Sequence, residues 1–221
     1  LIVVLGDSWA CGEWGLTTEG PYGLLHRGTV YYLQKAGYHV YNLAHGASSN
    51  KKQVDKLHAF KEKYIDHVIW FLTDPLRDIS EQDIATTMKG YREQQDTLLR
   101  NQFDRVRMTD ILLIGGVHQV PNWVSEEYPN IQIVTPNLRC YLLPYREHIE
   151  TLCRTWGYPA RADKTLIDHW TNQEIKIDEH IYSAEYDLDS DTHKLFWPDG
   201  HHPNRNAHLR LVEELLIPII G

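Results

Sequence analysis

The chain has 221 residues and a mass of 25.8 kDa, the size of one large domain. With 42% hydrophobic and 24% charged residues it has a globular composition, which excludes disorder, collagen-like repeats and coiled coil. Twenty-two Lys plus Arg against 30 Asp plus Glu leave a net charge of -8, so neither nucleic acid nor an anionic membrane is an expected partner. No apolar stretch reaches the length of a membrane span. Residues 1–5 carry no basic leader and no small-residue cleavage site, so no signal peptide is expected in this chain. Cys11, Cys140 and Cys153 are odd in number and lack CxxC spacing; this argues against a disulfide framework or a cysteine zinc site and points to a reducing compartment such as the cytoplasm.

Short apolar runs alternate with helix-period segments in the first third, the pattern of a parallel sheet covered by helices. Residues 2–6 read as a buried strand. Gly20-Pro21 predicts a helix start, with Leu25, Thr29, Tyr32, Leu33 and Ala36 on one face and Gly37 as its stop. Residues 40–44 form the second strand, and a helix over about 51–64 leads to the third, 68–73, whose continuous apolar run suits a central position. Ile84, Met88, Tyr91, Gln95 and Leu98 mark one helix face, followed by strands over 111–115 and 131–135. Leu142, Tyr145, Ile149, Leu152 and Trp156 give another helical stripe ended by Gly157; Ala207, Leu211, Val212, Leu215 and Leu216 give a last helix stopped at Pro218. Residues 158–198, polar and aromatic, read as an elaborated connection within a single domain spanning 1–221.

The chemistry gathers at the two ends of the chain. Gly6-Asp7-Ser8 follows the first strand, where the chain leaves the carboxyl edge of the sheet and open α/β folds bind their ligands. Asp199-Gly200-His201-His202-Pro203 precedes the last helix, and its DxxH spacing lets one turn present a carboxylate to one imidazole nitrogen while the other faces the serine. His201 is the competing base. Asp7 is expected to accept hydrogen bonds from nearby amides in its turn.

These residues resemble the SGNH or GDSL-type serine hydrolases, a family of esterases, lipases and carbohydrate O-deacetylases. The resemblance rests on Gly6-Asp7-Ser8 with Gly12, on Asn42-Leu43-Ala44-His45-Gly46-Ala47-Ser48, and on Asp199, His202 and Pro203. It implies a three-layer α/β/α sandwich with a five-stranded parallel sheet ordered 2-1-3-4-5, a flavodoxin-like arrangement. It also implies Ser8 as nucleophile, His202 as base, Asp199 as orienter, and an oxyanion hole built from Ser8, Gly46 and a third-block residue. That block departs from the family's Gly-x-Asn-Asp: Thr73 stands where Asn is expected, in Phe71-Leu72-Thr73-Asp74-Pro75-Leu76-Arg77. Losing one oxyanion donor can cost about 100- to 1000-fold in rate. Trp9, Asp74, Arg77 and His118 are the expected substrate-binding residues; Trp14 also flanks the nucleophile turn, where an aromatic face could stack on a sugar.

The function expected is therefore hydrolysis of a small ester, an O-acetyl group on a carbohydrate above others, through an acyl-enzyme on Ser8. The Thr-Asp-Pro-x-Arg run is also similar to phage-encoded members, which implies the alternative of a weakly active or inactive binding or structural module, for example in a virion. Neither metal nor cofactor is expected. There is no HExxH, no GxxxxGK[ST] and no strand-borne GxGxxG. The Asp187-x-Asp189-x-Asp191-x-His193 run has Thr192 and Pro198 where a calcium loop needs Gly and Glu.

Overall fold

A computed structural model describes residues 1–15, 23–62, 64–116, 118–142, 165–168, 173–176, 195 and 202–221. The sheet is built from β1 (Ile2–Leu5), β4 (Val40–Asn42), β5 (His67–Leu72), β6 (Ile111–Gly115) and β7 (Ile131–Thr135), all parallel and ordered β4-β1-β5-β6-β7. Counted along the chain this is the 2-1-3-4-5 order. β1 lies between β4 and β5, with Ile2 opposite Val40 on one side and His67 on the other, so the first strand opens onto the middle of the sheet edge.

Strand alternation divides the core into two layers. Val4, Ile69, Phe71, Leu112 and Ile114 face one side. They pack there against α1 (Ser8–Cys11), α2 (Gly28–Lys35), α6 (Leu138–Leu142) and the C-terminal helix. Val3, Leu5, Val68, Trp70, Leu72 and Leu113 face the other, against α3 (Asn50–Ala59), α4 (Met88–Arg105) and α5 (Val124–Glu127). Each such fully buried side chain contributes about 1.5–3 kcal/mol. The chain is thus a three-layer α/β/α sandwich. Among the described residues no helix is long and apolar enough to cross a membrane.

Two expectations are corrected. The helix expected from Gly20 begins only at Gly28, because Gly23–His26 forms β3, paired antiparallel with β2 (Glu13–Gly15). The apolar side chains of Leu24 and Leu25 fit either period over so short a run. Pro218 does not stop the last helix: α7 (Arg205–Leu211) passes through a π turn at Val212–Leu216 into α8 (Ile217–Ile220). Pro218 then lies in the first turn of α8, where a missing N–H costs little. Residues 143–157 of the expected stripe and most of 158–198 lie outside the described residues; within the latter, β8 (Thr165–Asp168) and β9 (Gln173–Lys176) form an antiparallel pair.

The last helix is pinned to α2 by His208, whose Nδ1 meets Thr29 Oγ1 at 2.9 Å. Burial pushes the His208 imidazole down to about 4, because the charged form would lose its water, while the Gly12 backbone opposes the shift. A lowered folded-state pKa gives stability that is full above the unfolded value near 6.5 and falls as pH drops towards 4. Denaturation at pH 7 and pH 4.5 should show a loss about 2 kcal/mol larger in the wild type than in His208→Gln; equal losses would remove His208 as the source.

Candidate active site

Gly6 ends β1 with a φ of +148°, and a Cβ there would stand 2.4 Å from Ala10 Cβ and 2.9 Å from Phe71 Cβ. Only glycine lets the strand turn this tightly into α1. Asp7 caps that helix, its Oδ1 accepting from the Trp9 amide at 3.0 Å. Ser8 is the first helical residue, so its amide is one that a helix leaves without an intrahelical acceptor. The loop after β4 is held alongside by the His45 amide, which donates to the Gly6 carbonyl at 3.1 Å.

The partner of Ser8 arrives from the other end of the chain. His202 Nε2 lies 2.9 Å from Ser8 Oγ, and with that nitrogen unprotonated the hydroxyl donates to it. Asn204 fixes the entry into the last helix: its amide donates to the Leu195 carbonyl at 2.9 Å, and its side chain caps α7 by accepting from the Asn206 and Ala207 amides. Arg205 then reaches back to Glu13. Glu13 Oε2 accepts from the Arg205 amide at 2.7 Å and from Nε at 2.8 Å, and Oε1 accepts from Nη2 at 2.9 Å. Burial raises the Glu13 carboxyl, but the hydrogen bonds and charge of Arg205 outweigh it and hold the group below the usual range. His208 meets Thr29, not Ser8.

A cleft of about 580 Å³ opens at this pair. Ser8 and His202 share it with apolar walls from Cys11, Trp14, Leu24 and Ala44, and with Asn42 and His45 as polar groups. Trp14 is anchored by its indole N–H, which donates to the Ser8 carbonyl at 2.8 Å. Gly46 also lines the cleft, and its amide favours the Cys11 thiolate, which places it against that sulfur. Burial and the Asp7 charge nevertheless push the Cys11 thiol up to about 11, so at neutral pH it is not a competing nucleophile. A second depression of about 380 Å³, with Arg27, Gln34, Tyr41 and Asn42 in its lining, shares Asn42 with the first. Among the described residues no cluster of His, Cys, Asp and Glu could hold a metal ion.

Several expected site residues stand elsewhere. Thr73 is fully buried, and its hydroxyl donates to Asp7 Oδ2 at 2.6 Å. The one hydroxyl proton is committed there, so Thr73 is not an oxyanion donor. Its backbone is held by Asn50, whose Nδ2 donates to the Thr73 carbonyl and whose Oδ1 accepts from the Thr73 amide. Arg77 pairs with Asp7 Oδ2 at 2.8 Å, and Asp74 caps the turn Pro75–Asp78 by accepting from the Leu76 amide, so both serve the nucleophile loop's scaffold. Trp9 and His118 are buried, 0% and 2% exposed, and offer no face to a substrate. Of the two tryptophans flanking the turn, Trp14 is the one in the cleft. Asp199 and His201 lie outside the described residues. Glu13, Arg205 and Leu24 went unrecognised in the sequence; Glu13 and Arg205 are 192 residues apart, and no local spacing marks them as partners.

Ser8 and His202 stand as the nucleophile and base of a serine hydrolase do, on the sheet order found in the SGNH hydrolase fold. No protein-family model matches the chain. No curated protein matches it. Among solved structures it is similar to one described as "Crystal Structure of TesA", at 19% identity and a TM-score of 0.44, with 98% of each chain covered.

Thr73→Val tests the scaffold role. Losing the bond to buried Asp7 should lower stability by about 1–3 kcal/mol, read from denaturant midpoints, while kcat on p-nitrophenyl acetate stays within about twofold. A fall of about 100-fold in kcat would restore Thr73 to the oxyanion hole.

Proposed function

We propose that this chain, with its SGNH/GDSL-type hydrolase fold, is a serine esterase that cleaves a small ester through an acyl-enzyme on Ser8. The observation that carries the reading is the 2.9 Å contact between Ser8 Oγ and His202 Nε2 at the mouth of a cleft. In the first half-reaction Ser8 Oγ bonds to the carbonyl carbon, its proton passes to His202 Nε2, and the C–O bond to the leaving alcohol breaks as that alcohol takes the proton. In the second half, water gives its proton to His202, its oxygen bonds to the acyl carbon, and Ser8 Oγ leaves with the proton returned. The Ser8 amide receives the oxyanion, the Gly46 amide joins it by turning from the Cys11 sulfur, and Asp199 holds the imidazole in the tautomer that leaves Nε2 free, as the DxxH spacing suggests.

The finer reading is an O-acetyl group on a carbohydrate. Its support is the arrangement of the two depressions: a short acyl group fits the apolar wall of Trp14, Leu24 and Ala44, and hydroxyl-rich material fits the polar lining beyond Asn42. The same apolar wall favours, as a second reading, an ester with a longer acyl chain. A series of p-nitrophenyl esters from acetate to octanoate, run beside acetate release from an acetylated oligosaccharide, separates them. Rates that rise with chain length overturn the acetyl reading.

A fluorophosphonate probe should label the wild type and not Ser8→Ala, which should also lose about 1000-fold or more in kcat on p-nitrophenyl acetate with little change in melting temperature. His202→Ala should lose a comparable factor. Labelling and turnover retained in Ser8→Ala would remove Ser8 from the mechanism, and a wild type inert to ester and probe alike would replace the esterase with a binding module.

A further inference from the structure

Resting on the serine-esterase reading, we propose that Glu13 and Arg205 are positioning residues whose clamp sets the separation of His202 Nε2 from Ser8 Oγ, and so the rate of proton transfer, without touching substrate. The clamp joins two short arms. Ser8 is five residues before Glu13, and His202 is three before Arg205. The first arm is stiffened by Gly12, at a φ of +127°, where a Cβ would meet the His26 carbonyl oxygen at 2.1 Å. The second is stiffened by the Asn204 cap and its bond to Leu195. Because one of the three donors to Glu13 is the Arg205 backbone amide, the carboxylate holds the helix start itself and not only a mobile side chain.

The burial is uneven: the Glu13 side chain is 6% exposed and that of Arg205 51%. The carboxylate is therefore fixed inside, while the guanidinium closes over it with two forked bonds and a third contact from the main chain. An exposed ion pair of this length would contribute little. Neither residue lines the catalytic cleft. Substrate affinity has no reason to depend on them, whereas proton transfer does, since a displacement of about 1 Å at a reacting group can cost about 100-fold.

The experiment measures kcat and KM on p-nitrophenyl acetate for Glu13→Gln, Arg205→Lys and Arg205→Ala. Each kcat is taken per site labelled by the fluorophosphonate, so that unfolded protein does not count. Leu216→Ala is the control, because it loosens the same helix at a buried core contact that touches neither arm of the clamp. The clamp predicts a fall of about 10- to 100-fold in kcat per site for Glu13→Gln and Arg205→Ala. KM should stay within about twofold, and a double variant combining Glu13→Gln with Arg205→Ala should be no worse than the poorer single one. Arg205→Lys, which keeps the charge but not the fork, should recover part of the loss. Leu216→Ala should lower the melting temperature while keeping kcat per site. Clamp variants that lose stability yet keep kcat per site, or that lose no more than Leu216→Ala does, overturn the positioning role and leave the esterase standing. A wild type that neither labels nor turns over overturns both.

Discussion

One buried carboxylate joins the two ends of the chain. Glu13 sits one residue beyond the turn that follows α1, and Arg205 opens the final helix, so their three hydrogen bonds fasten residues 192 apart in sequence. A charge buried without its partner leaves a deficit of about 3–5 kcal/mol, so the buried Glu13 carboxylate favours a final helix docked with Arg205 beside it. The same helix buries Ala207, Leu211, Val212 and Leu216 on the side of the sheet that carries Val4 and Phe71, sets His208 against Thr29, and follows directly on His202 at its contact with Ser8.

A second buried carboxylate lies on the other side of the nucleophile. Asp7 divides its oxygens between the Trp9 amide, the Thr73 hydroxyl and the Arg77 guanidinium, while Asn50 holds the Thr73 main chain in both directions. The end of β5 is thereby tied to the loop after β1 by side chains. In the family pattern an Asn on this strand end faces the reacting carbonyl. Here the position is structural, since the Thr73 hydroxyl is spent on Asp7. The unusual third block is thus a change in how the nucleophile loop is supported.

The parallel strands were legible because their signal is redundant. Ile111–Gly115 matches its apolar run end to end, since a strand buried on both faces needs continuous hydrophobicity, while the edge strand Ile131–Thr135 exposes Gln132 and is marked by its Ile and Val residues instead. Gly23–His26 was not legible, because a four-residue strand in a two-stranded hairpin carries no period that distinguishes it from a helical turn. Pro218 misled because the π turn that absorbs it is a tertiary accommodation without a sequence mark. At the candidate site, the meeting of Ser8 with His202 was readable from the turns that carry them. The side-chain partners of Thr73 and Arg77 were not, since both positions lie at the expected edge and only packing decides which way a side chain is used.

The 194-residue span between Ser8 and His202 also bears on when reactivity arises. During synthesis the nucleophile loop, its Asp7 support and the strands flanking β1 emerge long before Arg205. Until the last helix docks, Ser8 has no His202 beside it, and the sheet face that carries Ile2 and Val4 lacks Ala207, Leu211, Val212 and Leu216. The three-layer scaffold and the Ser8–His202 pair are therefore completed in the same late step, and a C-terminally truncated chain lacks both.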